Sequence, residues 1–202
     1  MKKNWANYLF VITLLFFALG FFNIIFAWLG LACLILPFVF LAKDKKKTWC
    51  QKYCPRSNLF SKLFQGRSLT GKIGPDWLIK GKGKWILLTY FCFNLFVITM
   101  STIRVSRGLM EPLERVRFLI AFILPWEIPQ LLNIGPVPDW TLHLSFRIYS
   151  MMFTTTVLGL VLAWLFMPRT WCRVCPINTI SDISLNKMNQ TKTSEVNSNE
   201  AV

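Results

Sequence analysis

Residues 8–42 read YLFVITLLFFALGFFNIIFAWLGLACLILPFVFLA, about 35 residues without a charge. A spanning helix takes about 20 residues, so the stretch is too long for one crossing and slightly short for two with a generous loop. Two compact helices joined around Gly20-Phe21-Phe22-Asn23 resolve the length. Lys2 and Lys3 precede the first, and Lys43, Lys45, Lys46 and Lys47 follow the second, which puts both ends on the cytoplasmic face by the positive-inside rule. The lysines and the apolar run also resemble the start of a signal peptide. The run continues to Ala42 with no small-x-small exit, however, so a retained anchor is expected.

The rest of the composition agrees with lipid as the solvent. Apolar residues make up 54% of the chain and charged ones 16%, against about 25% charged in globular domains. The net charge of +14 is segregated into loops beside apolar runs, as anionic lipid and membrane orientation require. No nucleic-acid-binding motif accompanies it, which excludes nucleic acid as the expected partner.

Further along, residues 43–84 carry lysine or arginine at twelve positions against Asp44 and Asp76 alone, so this segment is expected inside. Within it, Leu59-Phe60-Ser61-Lys62-Leu63-Phe64 has the spacing of an amphipathic helix lying on the headgroups, with Gly66 to end it. A third span is expected from Trp85 to Ile103, with Asn94 facing a helix contact. In residues 104–147 five arginines are nearly balanced by Glu111, Glu114, Glu127 and Asp139, which fits the outer face. Phe118–Trp126 is too short to cross before Pro125 and Pro129, so it reads as interfacial or re-entrant. The turn Pro136-Val137-Pro138-Asp139 leads to a fourth span, Ile148 to Met167. The predicted fold is an all-α membrane protein: four transmembrane helices as two repeated hairpins, with interfacial helices. The membrane domain covers residues 1–185, and residues 186–202, rich in Asn, Thr, Ser and Glu, are a disordered tail.

At the inner end of each predicted hairpin a motif recurs: Thr48-Trp49-Cys50-x-x-x-Cys54-Pro55 and Thr170-Trp171-Cys172-x-x-Cys175-Pro176. Two cysteines at this spacing face one centre if the chain between them turns. Proline favours the first turn of a helix, so Cys54 and Cys175 are expected at helix N-termini, where amides and dipole favour thiolate. Lys52, Arg56, Arg169 and Arg173 act in the same sense. Four thiolates from Cys50, Cys54, Cys172 and Cys175 suit tetrahedral zinc or an iron–sulfur cluster, and a following proline accompanies cluster cysteines. Trp49 and Trp171 supply apolar shielding. The thiols can be gathered within one chain or across a homodimer. The remaining two, Cys33 and Cys92, lie singly in apolar runs and read as small buried hydrophobes. His143 is the only histidine, which leaves no bis-histidine haem site, and it reads as an outer interfacial residue near Asp139.

Two other readings compete. A zinc-stapled or metal-free assembly protein uses the same cysteines structurally. A quinone-linked thiol–disulfide oxidoreductase keeps its reactive pair on the oxidising outer face, whereas the lysines place all four thiols inside, where they stay reduced.

Residues Trp49-Cys50-Gln51-Lys52-Tyr53-Cys54-Pro55 and Arg169-Thr170-Trp171-Cys172-Arg173-Val174-Cys175-Pro176 resemble the membrane polyferredoxin family of the NapH, NosR and CcoG type, in which C-x-x-x-C-P motifs stand at cytoplasmic helix ends of a four-helix membrane core. The resemblance covers about residues 1–185. It implies a bacterial inner-membrane protein with cytoplasmic termini, a 4Fe-4S cluster, and electron transfer between a membrane donor such as quinol and a partner oxidoreductase. Two features depart from that pattern. The second motif has a two-residue gap, and the C-x-x-C-x-x-C-x-x-x-C-P runs of many relatives are absent, so one cluster is the most these four thiols can hold.

Overall fold

In a computed structural model, which describes residues 8–79, 81–113, 115–119, 122–123 and 137–199, the apolar N-terminal stretch breaks at Asn23. Helix α1 (Leu9–Phe22) ends there with the Asn23 amide donating to Leu19 O at 3.0 Å. The Asn23 side chain then accepts from the Ile25 amide at 2.8 Å, opening the 3-10 turn Ile24–Trp28 that runs into α2 (Leu29–Asp44). One polar residue thus ends one helix and starts the next.

Ile24–Asp44, α5 (Lys82–Ser106) and α6 (Asp139–Leu165) are long and apolar enough to cross a membrane. With 14 residues, α1 reaches only ~21 Å at ~1.5 Å per residue, short of the ~30 Å hydrocarbon core. Of the four spans expected from composition, three have membrane length among the described residues. Large apolar side chains such as Ile35, Val39, Ile86, Phe93 and Phe96 are exposed along these helices, the surface a lipid-facing belt presents.

Half of α6 is buried, far more than of the other two spans, and it forms the central post. It begins directly after Pro138, well before the expected start at Ile148, because its first turns carry polar residues that hydropathy assigns to water. His143 is the clearest correction. It is fully buried rather than interfacial. The Leu113 amide donates to its Nδ1 at 3.1 Å, so Nε2 carries the hydrogen and donates to Ser101 Oγ at 2.9 Å, which in turn donates to Ile98 O. A neutral imidazole with both nitrogens satisfied is a structural tie between α5, α6 and the connection between them.

That connection follows α6 inward. The Arg117 amide donates to Ser150 Oγ at 3.0 Å and the Leu119 amide to Thr154 Oγ1 at 3.3 Å. Strand β1 (Arg117–Phe118) pairs antiparallel with β2 (Phe122–Ile123), Arg117 opposite Ile123. Irregular backbone persists at depth only where such partners satisfy it, and here serine and threonine hydroxyls of α6 do so. The remainder of the expected re-entrant segment, Glu114, Glu127, Pro125 and Pro129 lie outside the described residues. Asn94 is buried as expected, but its amide turns back to Tyr90 O at 3.3 Å.

At the opposite end, α3 (Pro55–Phe64), expected as a helix on headgroups, packs against the protein. Its apolar face, with Leu59 and Phe60, is buried in protein. Phe60 stacks so closely on α6 that a Cβ at Gly159 would stand 2.4 Å from the ring, so α6 needs a residue without a side chain there. Residues 69–72 then run along the end of α6, with Leu69 N donating to Trp164 O and Met167 N to Lys72 O, before α4 (Asp76–Ile79) leads into α5. After α6 come α7 (Thr170–Val174) and α8 (Pro176–Asn199). Helix α8 continues past residue 186, where composition predicts a tail; no Pro or Gly interrupts the chain from Ile177 to Asn199.

Candidate metal centre

The two cysteine motifs are built on the same backbone bond. In the first, the Cys54 amide donates to Trp49 O at 2.9 Å, closing a single π turn over Trp49–Tyr53. In the second, the Cys175 amide donates to Trp171 O at 2.8 Å, closing an α-type turn in α7. The extra residue in the first gap is absorbed by widening one helical turn, a π bulge. The two-residue gap of the second motif is therefore the same device without the bulge. Each turn ends at the second cysteine, and the proline that follows occupies the first position of α3 or α8, where its missing amide costs nothing.

All four motif cysteines line one cavity of about 40 Å³, walled also by Trp49, Trp171, Pro37 and Ile177. By a measure in which one water occupies ~10–15 Å³, this is room for several atoms. Among the described residues, no group of three or more His, Cys, Asp or Glu side chains is placed to hold a metal ion directly. All six cysteines are free, and the Cys172 thiol donates to Ser57 Oγ at 3.2 Å, linking the second motif to the helix that follows the first.

Burial governs the chemistry of these thiols. It pushes Cys50 up to about 11, with the Cys175 and Cys172 sulfurs adding to the rise and Lys47 opposing it. Cys54 is pushed up to about 12, again by burial, against the pull of Arg56 and the Ser57 amide. Cys172 and Cys175 are raised for the same reason, with Ser57 and Arg56 respectively foremost among the opposing groups. The helix N-termini and basic side chains act in the expected direction, but desolvation outweighs them. In the metal-free centre the balance therefore favours the protonated thiols over the thiolates expected from the helix ends and basic neighbours.

Of the residues lining this centre, Arg56 is expected from sequence as a basic neighbour of the thiols, whereas Cys33 is not. Cys33, expected to be a small buried hydrophobe, lines the cavity from α2 together with Pro37 one turn on. Arg56 enters the same cavity and is held to α6 by a 2.6 Å bond to Thr155 Oγ1. Burial disfavours the Arg56 charge, and the sulfurs of Cys33, Cys54 and Cys175 more than restore it. The helical spacing of Cys33 and Pro37 was a legible signal, but only tertiary packing shows what that face meets. The other lone cysteine, Cys92, is exposed on α5 rather than buried.

The donor set fits an iron–sulfur cluster: four soft thiols, apolar walls, and a buried cation to offset the negative charge of a thiolate-bound cluster. No curated protein and no solved structure matches the chain. A family model described as "4Fe-4S binding domain" matches residues 26–72 and 149–190, so each matched segment contains most or all of a long apolar stretch, a cysteine motif and the start of the helix after it. Similarity to that family supports an iron–sulfur cluster, of 4Fe-4S type, as the cofactor of this chain.

Proposed function

We propose that this chain is an integral membrane electron-transfer protein in which Cys50, Cys54, Cys172 and Cys175 together hold one 4Fe-4S cluster. The observation that carries the reading is that two motifs far apart in sequence, closed by equivalent turns, contribute all four cysteines to one cavity. The cluster, when bound, supplies one-electron transfer. The chain's own residues do the rest: Trp49 and Trp171 exclude water, Arg56 offsets negative charge, and the Ser57 hydroxyl, 3.2 Å from the Cys172 sulfur, donates to it once that thiol has lost its proton.

The same reading makes α1 a fourth membrane segment, arranges the four as two hairpins, and sets both motifs and both termini on the cytoplasmic face of a bacterial inner membrane. The lysines of residues 43–84 support that orientation. Electrons then pass between a membrane donor, a quinol, and a partner oxidoreductase at the cytoplasmic face, in the manner of the NapH, NosR and CcoG type of protein.

Anaerobic purification tests the centre. The protein should be brown, carry iron and labile sulfide in equal amounts, and give an electron paramagnetic resonance signal on reduction. Serine at any one of the four cysteines should remove most of the iron. Colourless protein holding zinc without sulfide would overturn the electron-transfer reading and leave a structural staple.

A further inference from the structure

A second cavity, of about 30 Å³, lies between α5 and α6 and is lined by Arg117, Arg147, Ser150, Thr154 and Asn94 among others. Arg147 sits inside a membrane-length helix, ~12 Å along it from Asp139 at ~1.5 Å per residue, and is only 8% exposed. Arg117 reaches the same cavity from β1, near enough for the two positive charges to repel. The Nε of each is buried without a hydrogen-bond partner. Among the described residues neither guanidinium has a carboxylate partner. Arg147 is buried and Arg117 half-buried; two cations side by side at a poorly solvated site call for a counter-charge, and an ionisable residue within a span marks a site by default.

We propose that Arg117 and Arg147 form a binding site for a phosphate-class oxyanion. Guanidinium forks match phosphate oxygens with paired N–H donors. The cavity, with room for only two or three water-sized groups at ~10–15 Å³ each, admits the charged oxygens of such a group and not a ring system. The hydroxyls of Ser150 and Thr154, which also accept the Arg117 and Leu119 amides, tie the position of Arg117 to that of Arg147 on α6. The oxyanion thereby pins the connection between α5 and α6 to the bundle. Its source is either an anionic phospholipid or free phosphate.

The test uses the full-length holoprotein in nanodiscs. In discs of phosphatidylcholine alone, melting is compared in sodium phosphate and in sodium chloride at equal ionic strength. In a second arm the discs contain phosphatidylglycerol, and native mass spectrometry reads retained lipid. Wild type should melt higher with phosphate if the source is the free ion, or retain phosphatidylglycerol and melt higher with it if the source is lipid. Arg117→Gln and Arg147→Gln should lose that response, whereas Arg107→Gln, at an exposed arginine beyond α5, should keep it. Iron content reports whether each variant has folded. Where a glutamine variant does not, lysine at the same position should leave a reduced response. No response from wild type in either arm, or an undiminished response in the Arg117 or Arg147 variants, overturns the site.

Discussion

The Cys54 thiol shows how far burial alone can set reactivity. With its pKa pushed up to about 12 and that of Cys50 to about 11, the metal-free protein holds protonated thiols at neutral pH, and loading must expel those protons. The sign of the pH effect follows. In the unfolded chain thiols titrate near 9.0, the unperturbed value, so between that and the folded values the native state binds more protons than the unfolded one. Stability of the metal-free protein should then fall as pH rises from 9.0 toward 11 and 12, and denaturant midpoints measured across that window should show the fall. The iron-loaded protein, whose sulfurs carry no proton to lose, should show much less of it.

At the scale of elements, the π turn makes a specific claim about spacing. If the bond from the second cysteine's amide to the tryptophan carbonyl is what matters, deleting the exposed Lys52 converts the first motif to the gap of the second and lets an α-type turn form. The deletion should retain iron at close to the wild-type content, measured by metal analysis. A loss as severe as that of a cysteine variant would show that the wide turn itself is required. The contact between α3 and α6 is less tolerant. Gly159→Leu places atoms where the fully buried Phe60 ring lies, and overpacking of this kind costs about 1–3 kcal/mol. A lower melting temperature is expected, along with weaker iron retention, because α3 carries Arg56 and Ser57 into the centre. Gly20 has the same standing against Tyr149, so small residues are what allow α1, α3 and α6 to approach.

Across the whole molecule, the helix ends nearest the cysteine motifs meet at Asp182. This residue of α8 pairs with Lys47, just past α2, and with Lys84 at the start of α5, the latter at 3.3 Å. Burial works to raise its pKa, but the hydrogen bond and charge of Lys47, and then Lys84, hold it below the ordinary carboxylate value. Its contribution is therefore complete above the unperturbed value of 3.8 and lost as pH falls through the lower folded value. About a third of the side chain is solvated, so Asp182→Asn should cost no more than about 1 kcal/mol. The cost should appear as a small drop in melting temperature at neutral pH that vanishes below the folded pKa. Since Lys47 and Asp182 also bear on Cys50, the same variant should alter the reduction potential of the loaded centre.

Much of this arrangement is determined by sequence alone. Uninterrupted apolar length marks the helices long enough to cross a membrane, the polar break at Asn23 divides the first stretch, and proline after a paired cysteine marks a helix start. Those signals are local, set by backbone hydrogen bonding and by the cost of placing charge in lipid. What sequence could not reveal depends on who faces whom. His143 and Arg147 look like outer-face polar residues because hydropathy weighs a side chain without its partners, yet His143 is satisfied on both nitrogens and Arg147 opens onto a cavity. Cys33 looks like filler until α2 turns it toward Arg56 and the four motif thiols. The difference in gap length looks like a defect until a wide turn absorbs it. Only tertiary packing decides these, because burial and the identity of a neighbour across the bundle set a side chain's charge and role, and neither is written in its own stretch of chain.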